Sequence, residues 1–232
     1  MKKLVTIILS LFICASVYAG RDKVFDFSGR GPQIFSYERV PDTGVVRLTS
    51  HIPKILGVSS SNVLAEWYAG YTSAGDLLDI SGNSRDLADT ASPPIVDSNI
   101  LGHDGTGLKA FSYDGSTQYH SRAHESWMNM FSTSHSLVMV VKAPSSAPAG
   151  SSDILFSHGV NNADGFYMPL GIDGRLFAQW FKVGSGLSAI ASSTMVDGNY
   201  HIIHVVRNGD VGKIYVDGVA GTETTGLNAG YG

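Results

Sequence analysis

The chain has 232 residues, with 16 Lys and Arg against 20 Asp and Glu, a net charge of −4, and no run of basic residues. Nucleic acid and anionic membrane surfaces both recruit clustered Lys and Arg, so neither is expected as the main partner. The single cysteine, Cys14, lies near the N-terminus, so neither a disulfide framework nor a cysteine-based zinc site is available to hold the rest of the chain.

Met1-Lys2-Lys3 precedes an uncharged run from Leu4 to Ala15, and Val17-Tyr18-Ala19 precedes Gly20. Two lysines, a short apolar stretch and a small-x-small site predict a secretory signal peptide over residues 1–19, cleaved after Ala19, and a secreted or periplasmic product. The apolar run is shorter than the roughly 20 residues a bilayer span needs, and no membrane span is predicted later in the chain. Leu11-Phe12-Ile13-Cys14 approaches a lipobox, but Ile13 stands where a small residue belongs. Loss of Lys2 and Lys3 takes the net charge from −4 to about −6.

Residues 20–62 read as an N-terminal extension or a set of edge strands. Val24-Phe25-Asp26-Phe27 and Gly44 to Thr49 have strand character, separated by the turn signals Gly29-Arg30-Gly31-Pro32 and Pro41-Asp42. A larger unit, residues 63–232, starts with Val63 to Tyr68 as a strand and Leu77 to Asn83 as the next apolar-to-turn stretch. Leu108 to Phe111 leads into Tyr113-Asp114-Gly115 and on to Tyr119, which predicts strand, turn and strand. Leu137 to Val141 is apolar at every position, the pattern of a central strand. Ala143 to Ser152 is then a surface loop.

Asp153 to Ser157 and Gly165 to Gly171 follow as strands, and Asp173-Gly174 signals a hairpin into Arg175 to Phe181. On that strand Phe177, Gln179 and Phe181 share one face, and Leu176, Ala178 and Trp180 share the other. The clearest stretch is last. Asp197-Gly198, Asn208-Gly209 and Asp217-Gly218 punctuate two apolar runs, and such pairs supply the positive φ angles of tight hairpin turns, so three consecutive antiparallel strands are predicted. With 27 glycines, 10 tyrosines and 10 phenylalanines and few helical patterns, the chain predicts an all-β antiparallel sandwich.

In order along the chain, Trp67, Asp79-Ile80-Ser81-Gly82-Asn83, Tyr113-Asp114-Gly115, the strand Leu137 to Lys142, Asp197-Gly198-Asn199-Tyr200-His201 and Tyr215-Val216-Asp217-Gly218 resemble the motifs of the laminin-G-like jelly-roll domains of the concanavalin A-like lectin/glucanase superfamily. Tyr200 stands where that family carries tryptophan. The resemblance implies a jelly-roll β-sandwich in which Trp67, Asp114, Gly115, Tyr200, His201, Asp217 and Gly218 are structural. It also implies further strands after the last hairpin, so the domain is expected to be incomplete at its C-terminus, with more sequence of the same protein to follow.

Catalytic chemistry finds little purchase. A glycosidase needs two carboxylates facing one bond, and Glu38, Glu66, Glu125 and Glu223 are far apart, with no local Glu-x-Asp-x-x-Glu pattern. No Gly-x-Ser-x-Gly elbow, phosphate loop or dinucleotide fingerprint occurs, so no enzyme is predicted. The eight histidines include the pairs His120/His124 and His201/His204, but zinc needs three or four converging ligands. If a metal binds, calcium suits the oxygen-rich set Asp79, Ser81 and Asn83, residues that equally suit ordinary turn chemistry. Tyr167, Gln179 and Trp180 lie on neighbouring predicted strands and form a candidate sugar platform, with core packing as the other destination for such aromatics.

These readings predict a secreted non-catalytic recognition module for glycans or glycoprotein surfaces, the ligand class being implied by the resemblance. The alternatives are a structural or adhesive component of an extracellular or virion assembly, and the non-catalytic part of a polysaccharide-active enzyme that continues past residue 232.

Overall fold

The computed structural model describes residues 5–14, 38–39, 46–47, 63–73, 75–93, 95–101, 107–149, 153–160 and 164–230. These residues form strands with almost no helix. In chain order the strands are β1 (Val5–Cys14), β2 (Glu38–Arg39), β3 (Val46–Arg47), β4 (Val63–Ser73), β5 (Asp76–Asp79), β6 (Ala88–Thr90), β7 (Ile95–Leu101), β8 (Gly107–Tyr113) and β9 (Tyr119–Ser121). A 3-10 helix at Ser126–Ser132 precedes β10 (His135–Lys142), β11 (Asp153–Val160), β12 (Asp164–Leu170), β13 (Arg175–Lys182), β14 (Ser185–Thr194), β15 (Tyr200–Asn208), β16 (Val211–Val216) and β17 (Val219–Thr224).

Every ladder is antiparallel. The larger sheet runs β17-β16-β15-β10-β1-β4-β5, with β8 pairing β1 and β7, and the smaller sheet runs β11-β12-β13-β14. Two short ladders, β2 with β3 and β6 with β9, stand outside both sheets. One apolar core joins the sheets: Trp67 of β4, Leu137, Met139 and Val141 of β10, and Ile203 and Val205 of β15 cluster with Phe166 and Met168 of β12 and with Leu176, Ala178 and Trp180 of β13. The protein is therefore all-β and sandwich-like. Strict alternation drives this layering, since β13 buries Leu176, Ala178 and Trp180 and leaves Phe177, Gln179 and Phe181 half-exposed on the other face.

The meander from Tyr200 to Thr224 forms as three consecutive strands. Asp217 and Gly218 have φ of 52° and 80°, so both central residues of the last turn adopt the positive φ that such a two-residue hairpin needs. The preceding turn sits one residue later than the Asn208-Gly209 signal predicts. Asn208 still pairs with Val211, and Gly209 and Asp210 form the loop. There the Asp210 carboxylate accepts from the Gly226 and Asn228 amides, which fixes the chain end beneath the hairpin. Asp197-Gly198 makes no hairpin at all, because β14 and β15 belong to different sheets and the pair carries the chain between them.

Strand, turn and strand form from Gly107 to Ser121 as expected, but the two strands do not pair with each other: β8 pairs β1 and β7, and β9 leaves to pair with β6. The Asp114 carboxylate causes this, taking the Ser116, Thr117 and Gln118 amides and winding the chain into a loop instead of a tight reversal. β7 and β14 are strands that the sequence did not announce. Of the two strands expected in residues 20–62, Gly44 to Thr49 contributes the pair Val46–Arg47, whereas Val24 to Phe27 lies outside the described residues.

Candidate ligand-binding face

The outer face of the smaller sheet carries two registered rows of side chains. Ser157 of β11 lies opposite Tyr167 of β12, Tyr167 opposite Gln179 of β13, and Gln179 opposite Ser188 of β14. The next row is apolar, with Ile154 opposite Pro169 and Phe177 opposite Ile190. Because side chains on one face recur every second residue, these rows line one face with a largely buried aromatic ring, an amide and two hydroxyls beside an apolar strip.

Over this surface opens a cavity of about 650 Å³, lined by Ile154, Tyr167, Pro169, Phe177 and Gln179 with the turn residues Ile172 and Asp173 at its rim. The rim is rigid. Gly171 N–H donates to the Arg175 carbonyl at 2.8 Å, Gly174 N–H to the Gly171 carbonyl at 2.9 Å, and Arg175 Nε to Asp173 Oδ2 at 2.7 Å. The backbone N–H of Arg175 and its side chain hold the Asp173 carboxyl below the usual range, so the rim carries a carboxylate. Tyr167 meets Phe181 edge-on, with ring centroids 5.3 Å apart. Burial raises the pKa of its phenol, which therefore stays protonated and able to donate at neutral pH. Gln179 Nε2 donates to Ser188 Oγ at 3.2 Å, which orients the amide and leaves its carbonyl oxygen and second N–H as capacity for a ligand.

Of the three residues singled out for sugar binding, the fold brings Tyr167 and Gln179 together on this face and sends Trp180 to the opposite one. Trp180 has no exposed surface and packs against Phe166 with ring centroids 5.2 Å apart, so it is a core residue. Phe177, Ile154 and Ile172 take its place as the apolar walls. Phe177 was detectable from its shared face with Gln179, whereas Ile154 and Ile172 lie on an expected strand and beside an expected turn whose placement against this face depends on strand pairing.

Asp79, Ser81 and Asn83 do come together, as a hydrogen-bonded turn. Asp79 Oδ1 accepts the amides of Glu66 and Ser81, and Oδ2 accepts that of Arg85. Asn83 Nδ2 donates to the carbonyls of Val63 and Leu64 and to Ser81 Oγ. These polar atoms tie the turn to β4, and beside it Trp67 Nε1 donates to the Arg85 carbonyl at 2.7 Å. Among the described residues no group of three or more His, Cys, Asp or Glu is placed to hold a metal ion.

The histidines are dispersed. His120 lies between the Tyr113 hydroxyl and the Gly75 carbonyl, while His124 approaches His158, so the pair four residues apart is split. His204 Nε2 contacts Ser136 Oγ at 2.6 Å, and burial pulls its pKa down to about 4. His201 instead sits between two carboxylates, Asp217 at 2.7 Å and Asp197 at 3.0 Å, which raise its pKa. No family model matches the chain, and no curated protein or solved structure shows a significant match. Among the described residues no helix is long and apolar enough to cross a membrane.

Proposed function

We propose that the chain is a jelly-roll β-sandwich of the laminin-G-like kind, exported behind its N-terminal leader, and that it acts as a non-catalytic recognition module for glycans. One observation carries the ligand class: the cavity sets the Tyr167 ring and its hydroxyl, the Gln179 amide and Ser157 beside the apolar walls Phe177 and Pro169. A pyranose offers an apolar C–H face and a rim of hydroxyls, and the floor offers two aromatic rings, one amide and a serine hydroxyl in that combination. The motif residues support the jelly-roll part of the reading through structural roles. Trp67 is buried, Asp114 and Asp217 hold turns by hydrogen bonds, and His201 ties the start of β15 to the last hairpin.

The test is a glycan array probed with the full chain and with Gln179→Ala. Selective binding of one sugar class by the parent chain, lost in the variant at unchanged melting temperature, supports the proposal. Absence of binding across the array, with a protein partner retained instead, favours the adhesive reading.

A further inference from the structure

In the larger sheet β4 and β10 each have one neighbour from the body of the chain, β5 and β15, and between them lies a slot one strand wide. Val5–Cys14 fills it. That strand pairs with β10 from Thr6 opposite Lys142 to Cys14 opposite Ser136. On its other side it pairs with β8 from Val5 opposite Tyr113 to Ile7 opposite Phe111, and then with β4 from Leu11 opposite Trp67 to Cys14 opposite Val63. Since β1 is antiparallel to both β4 and β10, those two strands are parallel to each other, and whatever lies between them must oppose both.

The flanking strands have the burial of a sheet interior. Leu137, Met139 and Val141 of β10 are at most 1% exposed on one face and Val140 is 6% exposed on the other, while Ala65, Glu66 and Trp67 of β4 are at most 1% exposed. With β1 in place the facing edges of β4 and β10 are paired, and its removal would leave their backbone N–H and C=O groups without ladder partners. Yet Val5–Cys14 is also the uncharged heart of the expected leader. A segment cannot thread an export channel and close a sheet at the same time.

We infer that Val5–Cys14 has two exclusive uses. In the uncleaved chain it is the central strand that completes the larger sheet and is withheld from export. Cleavage after Ala19 then leaves between β4 and β10 a strand-acceptor site whose fitting occupant is this same segment, an extended uncharged strand antiparallel to both walls. The inference stands apart from the glycan reading, because the slot and the cavity lie on different sheets.

Hydrogen exchange read by mass spectrometry tests it on the full chain made without membranes and on a chain starting at Gly20. In the full chain the Val5–Cys14 amides are expected to exchange slowly, together with Leu137 to Val141. The shorter chain is expected to lose slow exchange at Leu137 to Val141, and a synthetic Val5–Cys14 peptide with solubilising lysines at its ends to restore it. The same peptide carrying Phe12→Pro, which removes a ladder N–H, is expected to fail. Fast exchange over Val5–Cys14 in a full chain whose β12 and β13 are protected would overturn the inference, and this result stands even if the shorter chain does not fold. Slow exchange at Leu137 to Val141 in the shorter chain alone, or equal rescue by the proline peptide, would overturn it as well.

Discussion

Replacing His201 with Gln should remove a loss of stability that the parent chain shows as pH rises above neutrality. Carboxylates only accept hydrogen bonds, so a ring with Nδ1 at 2.7 Å from Asp217 and Nε2 at 3.0 Å from Asp197 satisfies both when it carries both protons. The bond to Asp217 is the largest influence raising its pKa; burial opposes it, and Asp197 and the charge of both carboxylates add to it. A histidine whose folded pKa lies above its unfolded value of about 6.5 contributes in full below that pH and loses its contribution as pH rises through the folded pKa. On the acid side the cluster holds until the carboxylates protonate. Asp197 is held at about 2, mainly by the Asn199 amide, and Asp217 is held low by His201 and the Ile202 amide although burial alone would raise it.

His204 and His120 have pKa values depressed by burial, so just above about 6.5, where the unfolded chain still sheds protons, they add a small slope of the opposite sign. The difference between the parent chain and His201→Gln from about pH 6.5 to 9 therefore isolates His201, because every other titrating group is common to both. Hydrogen bonds to charged groups contribute roughly 1.5–3 kcal/mol each, and with both carboxylates about half exposed the cluster is discounted to about 1 kcal/mol. At roughly 2–4 °C per kcal/mol for a domain of this size, thermal melting of the parent chain should fall by about that much relative to His201→Gln between pH 6.5 and pH 9. A variant that keeps the parent slope over this range, or a parent chain that gains stability relative to the variant, would refute the assignment.

Trp180→Ala should cost about 3–5 kcal/mol by emptying a fully buried indole site, read as a drop in the urea midpoint. Gly165→Ala should destabilise by roughly 1–3 kcal/mol in the same assay, because φ is +142° and an added Cβ would lie 2.1 Å from the His158 carbonyl oxygen. Asp79→Asn should cost about 1–3 kcal/mol, since an amide NH₂ cannot accept the backbone N–H that one carboxylate oxygen now takes, with faster amide exchange at Glu66, Ser81 or Arg85 as the local signature.

What the sequence disclosed and what it hid divide along physical lines. Alternation on β13 separated the two faces correctly, and Asp217-Gly218 announced its turn, because both signals are local. Alternation does not say which face meets the core. That depends on the opposing sheet, and Trp180 rather than Phe177 proved to be the core side. β14 escaped notice because Ser185–Thr194 is built of small residues, among them Ala189 and Ala191, which fit against the core without the large β-branched pattern that marks a strand. Asn208-Gly209 was displaced by one residue because Asp210 is held by amides 16 and 18 positions away, a constraint no window around the turn contains. Half of the proposed ligand surface was legible for the same reason: Tyr167 and Gln179 sit on alternation and pairing, while Ile154 and Ile172 arrive from a bulged strand and a turn.

The outer face of the smaller sheet is the centre of the functional proposal, and calorimetric titration of the best sugar from the array tests it most directly. Binding by the parent chain that weakens at least tenfold in Gln179→Ala, with the melting temperature unchanged, is the predicted result. Equal affinity in parent and variant would place the sugar elsewhere and contradict the assignment.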